Sequence, residues 1–203
     1  VVADLDSVTP PAAAEGGEEA EPAEAEDDDD VATGITCTPE TPDAVTSNQM
    51  LAQWLPARSR IDELLAADAV AKTIPGDATG FGSVRVTYPC TVNLTHHGEQ
   101  IARAGRTLEV AFAFDNLDWT QEYDNRELKL RVRAPQNLED LALRLHNKVH
   151  GSNYKKTDFA LALLAKDPDG WIVPRYIAEG LQWLEDTLGV AVQKDEVPED
   201  AAE

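Results

Sequence analysis

Four short segments between Gly82 and Arg133 alternate apolar with polar residues, and this constrains the fold more than any other feature of the chain. Val84, Val86 and Tyr88 alternate with Arg85 and Thr87. Val92, Leu94 and His96 alternate with Thr91, Asn93, Thr95 and His97. Leu108, Val110, Phe112 and Phe114 alternate with Glu109, Ala111 and Ala113. Leu128, Leu130 and Val132 alternate with Lys129, Arg131 and Arg133. Period two sends successive side chains to opposite faces, the pattern of a half-buried strand. Four such segments in succession predict an antiparallel meander with one face on a core and the other in water. Pro89-Cys90 separates the first two segments, and Gly98 and Gly105 flank the link to the third.

Helical stripes lie on both sides of this stretch. Ser47-Asn48 are N-cap types ahead of Met50, Leu51, Trp54 and Leu55, and Pro56 interrupts that run. Ile61, Leu64, Leu65 and Val70 form a second stripe. Asn137, with Asp140 three residues on, caps a helix whose apolar face is Leu138, Leu141, Leu145 and Val149, and Gly151 stops it. Thr157 caps a short helix from Phe159 to Ala165, and Asp167-Pro168-Asp169-Gly170 reads as a turn. Pro174 opens a last helix with Ile177, Leu181, Leu184 and Leu188 as its core face and Gly189 as its end. The expected class is α+β, a four-stranded antiparallel meander with helices packed on one face.

Charge divides the 203 residues unevenly. The formal net charge is -21, and residues 1–34 hold 12 of the 38 acids and no base, which leaves 26 acids against 17 bases elsewhere. Repeated Glu-Ala and the run Asp27 to Asp30 offer almost nothing to bury, so the expectation for 1–34 is a disordered acidic arm. Residues 35–193 then form a single α+β domain, and 194–203 a frayed acidic tail. Cys37 and Cys90 are either one disulfide or two free thiols, and their spacing does not decide between them; the expected setting is cytoplasmic, and the alternative is a secreted protein with a Cys37–Cys90 disulfide. No apolar run approaches about 18 residues, so no membrane insertion is expected.

In so acidic a chain the basic residues stand out. Arg85, Lys129, Arg131 and Arg133 fall on the polar side of the alternating segments, and Arg144, Lys148, Tyr154, Lys155 and Lys156 follow near the end of one helix. These nine are the candidate binding residues. The chain lacks a Gly-x-Ser-x-Gly elbow, a Cys-x-x-Cys pair and a dinucleotide fingerprint, so neither a catalytic residue nor a cofactor is expected. The function expected is that of a non-enzymatic interaction or assembly protein, with a protein partner bound at the basic surface and the acidic arm modulating that binding. Two alternatives remain. One is a nucleic-acid-binding accessory protein using the basic sheet face. The other is a metal-dependent enzyme around His146 and His150, which are four apart on a helix.

Overall fold

A computed structural model describes residues 1–10, 34–77 and 82–195. It is a mixed α+β fold, but its strands form three separate antiparallel pairs in place of a meander. β1 (Ser7–Val8) pairs with β2 (Val45–Thr46), β3 (Thr73–Ile74) with β4 (Val84–Arg85), and β5 (Thr91–His96) with β6 (Glu99–Ala104). Helices α1 (Gln49–Gln53) and α2 (Ile61–Leu65) precede β3. After β6 come α3 (Leu108–Asp115), α4 (Leu117–Gln121), a 3-10 turn at Tyr123–Leu128, α5 (Leu138–His150), α6 (Lys156–Leu164), a 3-10 turn at Pro168–Gly170, and α7 (Arg175–Asp195).

Each of the four alternating segments has its own outcome. Thr91–His96 is a strand as expected, with Val92 and Leu94 buried and Thr91, Asn93 and Thr95 exposed. Its partner is the segment expected to be a link. His97 and Gly98 both have positive φ, 48° and 85°, which is the two-residue turn that matches the twist of a tight hairpin. Val84–Arg85 pairs only with β3, and the chain beyond it meets the N-terminal segment, where the Ala3 N–H donates to the Thr87 carbonyl at 2.9 Å.

Leu108–Phe114 is helix. The strand reading buries Leu108 and exposes Glu109; the structure leaves Leu108 36% exposed and Glu109 4% exposed. Val110 through Phe114 are all buried. A helix enclosed on nearly every side has no polar stripe, so its periodicity carries no information, and the alternating alanines imitate a strand. Gly105 permits the close approach at its start, since a Cβ there would lie 2.5 Å from the Ala111 nitrogen.

The fourth segment keeps its burial pattern without a ladder. Leu128, Leu130 and Val132 are buried and Lys129 and Arg133 exposed. Its backbone groups are satisfied locally: the Val132 N–H donates to Gln121 Oε1 at 2.8 Å, and the Lys129 N–H to the Arg126 carbonyl at 3.1 Å.

Two apolar clusters form the core. One joins Val92 and Leu94 of β5 with α3, Leu128, Leu130, Val132, the inner face of α5 and Phe159. The other gathers Leu5, Leu51, Leu55, Ile61, Leu64, Val86 and Tyr88. Residues 1–10, read from composition as the start of a disordered arm, supply Ala3 and Leu5 to this second cluster, with Leu5 0% exposed, and Val8 is buried as well at 7%. The Thr9 N–H donates to the Ile35 carbonyl at 2.9 Å, so residues 11–33 connect two points held together. Those residues lie outside the described ones, as do 196–203 of the expected tail.

Several terminal signals hold. Asn48 Oδ1 accepts the Met50 N–H at 3.1 Å and Asn137 Oδ1 the Asp140 N–H at 2.8 Å. Asn137→Ala should therefore cost about 1 kcal/mol of stability, readable as a lowered urea midpoint with an unchanged m-value. Others do not hold. Val70 is 80% exposed and α2 stops at Leu65. Thr157 lies inside α6. α7 continues past Gly189 to Asp195, because a helical glycine only weakens a helix when no left-handed turn or proline follows it. Its expected core face is largely bare, with Leu181 57%, Leu184 46% and Leu188 57% exposed, and of its described side chains only Tyr176 is buried. Cys37 and Cys90 are both free, so the disulfide alternative is not realised. Among the described residues no helix is long and apolar enough to cross a membrane.

Candidate functional site

The alternation from Leu128 to Val132 turns the intervening cations outward, while the amphipathic pattern of α5 does the same for Arg144 and Lys148. Leu138, Leu141, Leu145 and Val149 face the core, which leaves Arg144, Asn147 and Lys148, three and four residues apart, on the opposite side. The two surfaces meet. Lys148 Nζ donates to the Arg131 carbonyl at 2.6 Å, and Arg131 Nε to the Gln121 carbonyl at 2.9 Å, tying α5, the 129–133 segment and α4 together.

The result is an open groove of about 590 Å³ lined by Arg131, Val132, Arg133, Arg144, Asn147 and Lys148. A smaller recess of about 130 Å³ adjoins it, where Tyr123 and Arg126 join Arg131, Arg133 and Lys148. The Arg126 guanidinium lies 4.2 Å and that of Arg131 5.8 Å from the Tyr123 ring centre. Tyr123 itself is 63% exposed.

Among the described residues, five cations thus converge with one carboxylate beside them. Asp140 pairs with Arg144 at 3.3 Å. Among the described residues Arg126, Arg131, Arg133 and Lys148 have no ion-pair partner. Partial burial holds the Lys148 ammonium below its ordinary pKa, and the guanidinium groups of Arg133, Arg144 and Arg131 press it further in the same direction. Among the described residues the groove therefore carries a surplus of positive charge in a chain of net charge -21, and an entering anion relieves that repulsion.

Of the nine residues the sequence suggested, four meet here: Arg131, Arg133, Arg144 and Lys148. The others lie elsewhere. Arg85 lies on β4 beside Val2, Ile177 and Leu181. Lys129 has positive φ (58°), which turns it aside to pair with Asp158 at 2.8 Å. Lys155 caps α6 and Lys156 sits 3.6 Å from Asp4 and 3.7 Å from Glu109. Tyr154 packs on the first core cluster and is not available for stacking. Tyr123, Arg126 and Asn147 were not singled out by sequence reasoning, although Tyr123 and Arg126 are spaced i, i+3, the one legible hint.

His146 and His150 do come together, with ring centres 4.5 Å apart. His146 is 5% exposed, and Arg106 stands 3.4 Å from His150 Nδ1, a cation where a second would have to bind. Among the described residues no group of three or more His, Cys, Asp or Glu converges to hold a metal. Burial lowers both imidazoles from 6.5 to about 4, with Arg106 adding to the effect. Between those values the unfolded chain holds protons that the folded chain rejects, so stability should fall as pH drops from 6.5 toward about 4. Each proton contributes at most about 1.4 kcal/mol per pH unit. Urea unfolding at successive pH values checks this; His150→Gln should flatten the slope.

No protein-family model, curated protein or solved structure matches the chain.

Proposed function

We propose that the protein is a non-enzymatic interaction module whose Arg131–Arg133–Lys148 groove takes an anionic segment of a partner protein. The observation that supports this reading is the convergence, among the described residues, of five cations with one carboxylate beside them. Binding of this kind gains rate and specificity from charge, and salt weakens it. The chain's own acidic segment, with ten carboxylates between residues 11 and 33, competes for the groove in cis. A single-stranded nucleic-acid backbone is the second reading, favoured by the exposed Tyr123 ring beside Arg126.

Fluorescence anisotropy separates the two. A labelled Glu-rich peptide and a labelled single-stranded oligonucleotide are titrated with the full chain and with a variant in which a short Gly-Ser linker replaces 11–33. The expected result is peptide binding that salt weakens and that the replacement tightens. Preference for the oligonucleotide would move the assignment to the second reading, and no binding of either would sink both.

A further inference from the structure

A second cleft lies apart from the basic groove and has the opposite character. It is an open cavity of about 430 Å³ between the outer face of β5, the α3–α4 junction and the Pro168–Gly170 turn. Trp119 and Trp171 both line it, and both are fixed from behind. Phe112 meets Trp119 edge-on at 6.0 Å and Trp171 at 5.4 Å. Asn116 joins the two sides: its Oδ1 accepts the Ile172 N–H at 2.7 Å and its Nδ2 donates to the Ile172 carbonyl at 2.9 Å. Gly170 closes the turn onto the indole, since a Cβ there would lie 3.4 Å from Trp119 Nε1. Two indoles on a rigid frame at the wall of a cavity are a preformed aromatic site.

The charge of the lining selects the ligand. Among the described residues, Asp115, Asp118 and Asp169 border the cleft and no Lys or Arg does. Asp115 accepts the Arg175 N–H at 3.0 Å, and Asp118 lies 2.6 Å from His96 Nδ1. Neither carboxylate meets a Lys or Arg side chain within ion-pair distance among the described residues. The three do not converge closely enough to strip the hydration shell of a metal ion. A weakly hydrated organic cation needs no such convergence: it gains from the indole faces and from the surrounding negative field together. A neutral sugar would use the indoles but draw nothing from the net charge.

We propose that the Trp119–Trp171 cleft binds an alkylammonium group. Choline is the probe. In a 15N-labelled full chain the four tryptophans give four indole N–H signals, assigned by single Trp→Phe variants. Choline should shift the Trp119 and Trp171 signals saturably and leave those of Trp54 and Trp183 in place. Its neutral isostere, 3,3-dimethylbutan-1-ol, should not shift them at the same concentrations. The double variant Asp118→Asn/Asp169→Asn should weaken choline binding roughly tenfold. Both side chains are exposed, and a spectrum otherwise unchanged confirms that the variant is folded. High salt should weaken binding to the unmodified chain in the same direction. The proposal is overturned if choline shifts neither signal, or if the neutral isostere shifts them equally. A methyl glucoside that shifts them where choline does not would make the cleft a carbohydrate site instead.

Discussion

Removing residues 1–10 should unfold the domain, while replacing residues 11–33 with a short linker should leave it folded. Composition alone places both segments in one dispensable arm, and the structure separates them. Leu5 is completely buried among Leu51, Ile61, Leu64 and Tyr88, and truncating a buried leucine to alanine costs roughly 2–5 kcal/mol. Val8 is buried too, and β1 loses its pairing with β2. The Asp4 carboxylate accepts the Leu108 N–H at 2.9 Å at the start of α3, and Arg106 Nε donates to the Ser7 carbonyl at 2.9 Å. Together these losses rival the whole stability of an ordinary domain, about 5–15 kcal/mol. The acidic segment spans ends already joined at Thr9 and Ile35, so shortening it only reduces loop-closure entropy. Urea unfolding followed by tryptophan fluorescence decides the matter: a 1–10 deletion with the full chain's midpoint would refute the account, and Leu5→Ala supplies a milder point on the same scale.

The second large effect concerns binding. Arg131→Glu/Arg133→Glu should weaken the acidic peptide at least roughly 100-fold at low salt, because two cations become anions in the recess that Lys148 and Arg126 share. The slope of affinity against salt should fall with it. Arg85→Glu, the same charge change on β4, should leave affinity within about twofold. Because Arg131 Nε also holds the Gln121 carbonyl, the single variant Arg133→Glu separates charge from structure. Equal losses from Arg85 and Arg133 would mean that the effect is one of overall charge and that the groove is not a site.

What the sequence disclosed follows from how each element meets its surroundings. Asn48 and Asn137 were legible as caps because capping is local chemistry. β5 was legible because one face is wet. β6 was not: Glu99-Gln100-Ile101-Ala102-Arg103-Ala104 offers one large apolar side chain, and its pairing is set by the His97–Gly98 turn. α3 was misread because burial on nearly every side removes helical period. Leu5 and Val8 disappeared into the composition of the acidic stretch that follows them. For the site, period two exposed Arg131 and Arg133 although no ladder forms there, since outward direction depends on the burial of Leu130 and Val132 and not on strand pairing. That α5 would lie beside them is a tertiary fact, and no local pattern carries it.

The tie between Thr9 and Ile35 has a consequence for the covalent chain. A single cut anywhere in residues 11–33 would sever the backbone without severing the fold. The product would be two polypeptides, the shorter one holding its place through Leu5, Val8 and the β1–β2 pair. The protein is in that sense a complementation pair joined by a tether. A synthetic peptide of residues 1–10 should restore the remainder when added in trans, and its dissociation constant would express, in molar units, the same free energy that deletion expresses as unfolding. The tether then acts as an effective concentration, and its length sets how far ordinary association exceeds that of the free peptide.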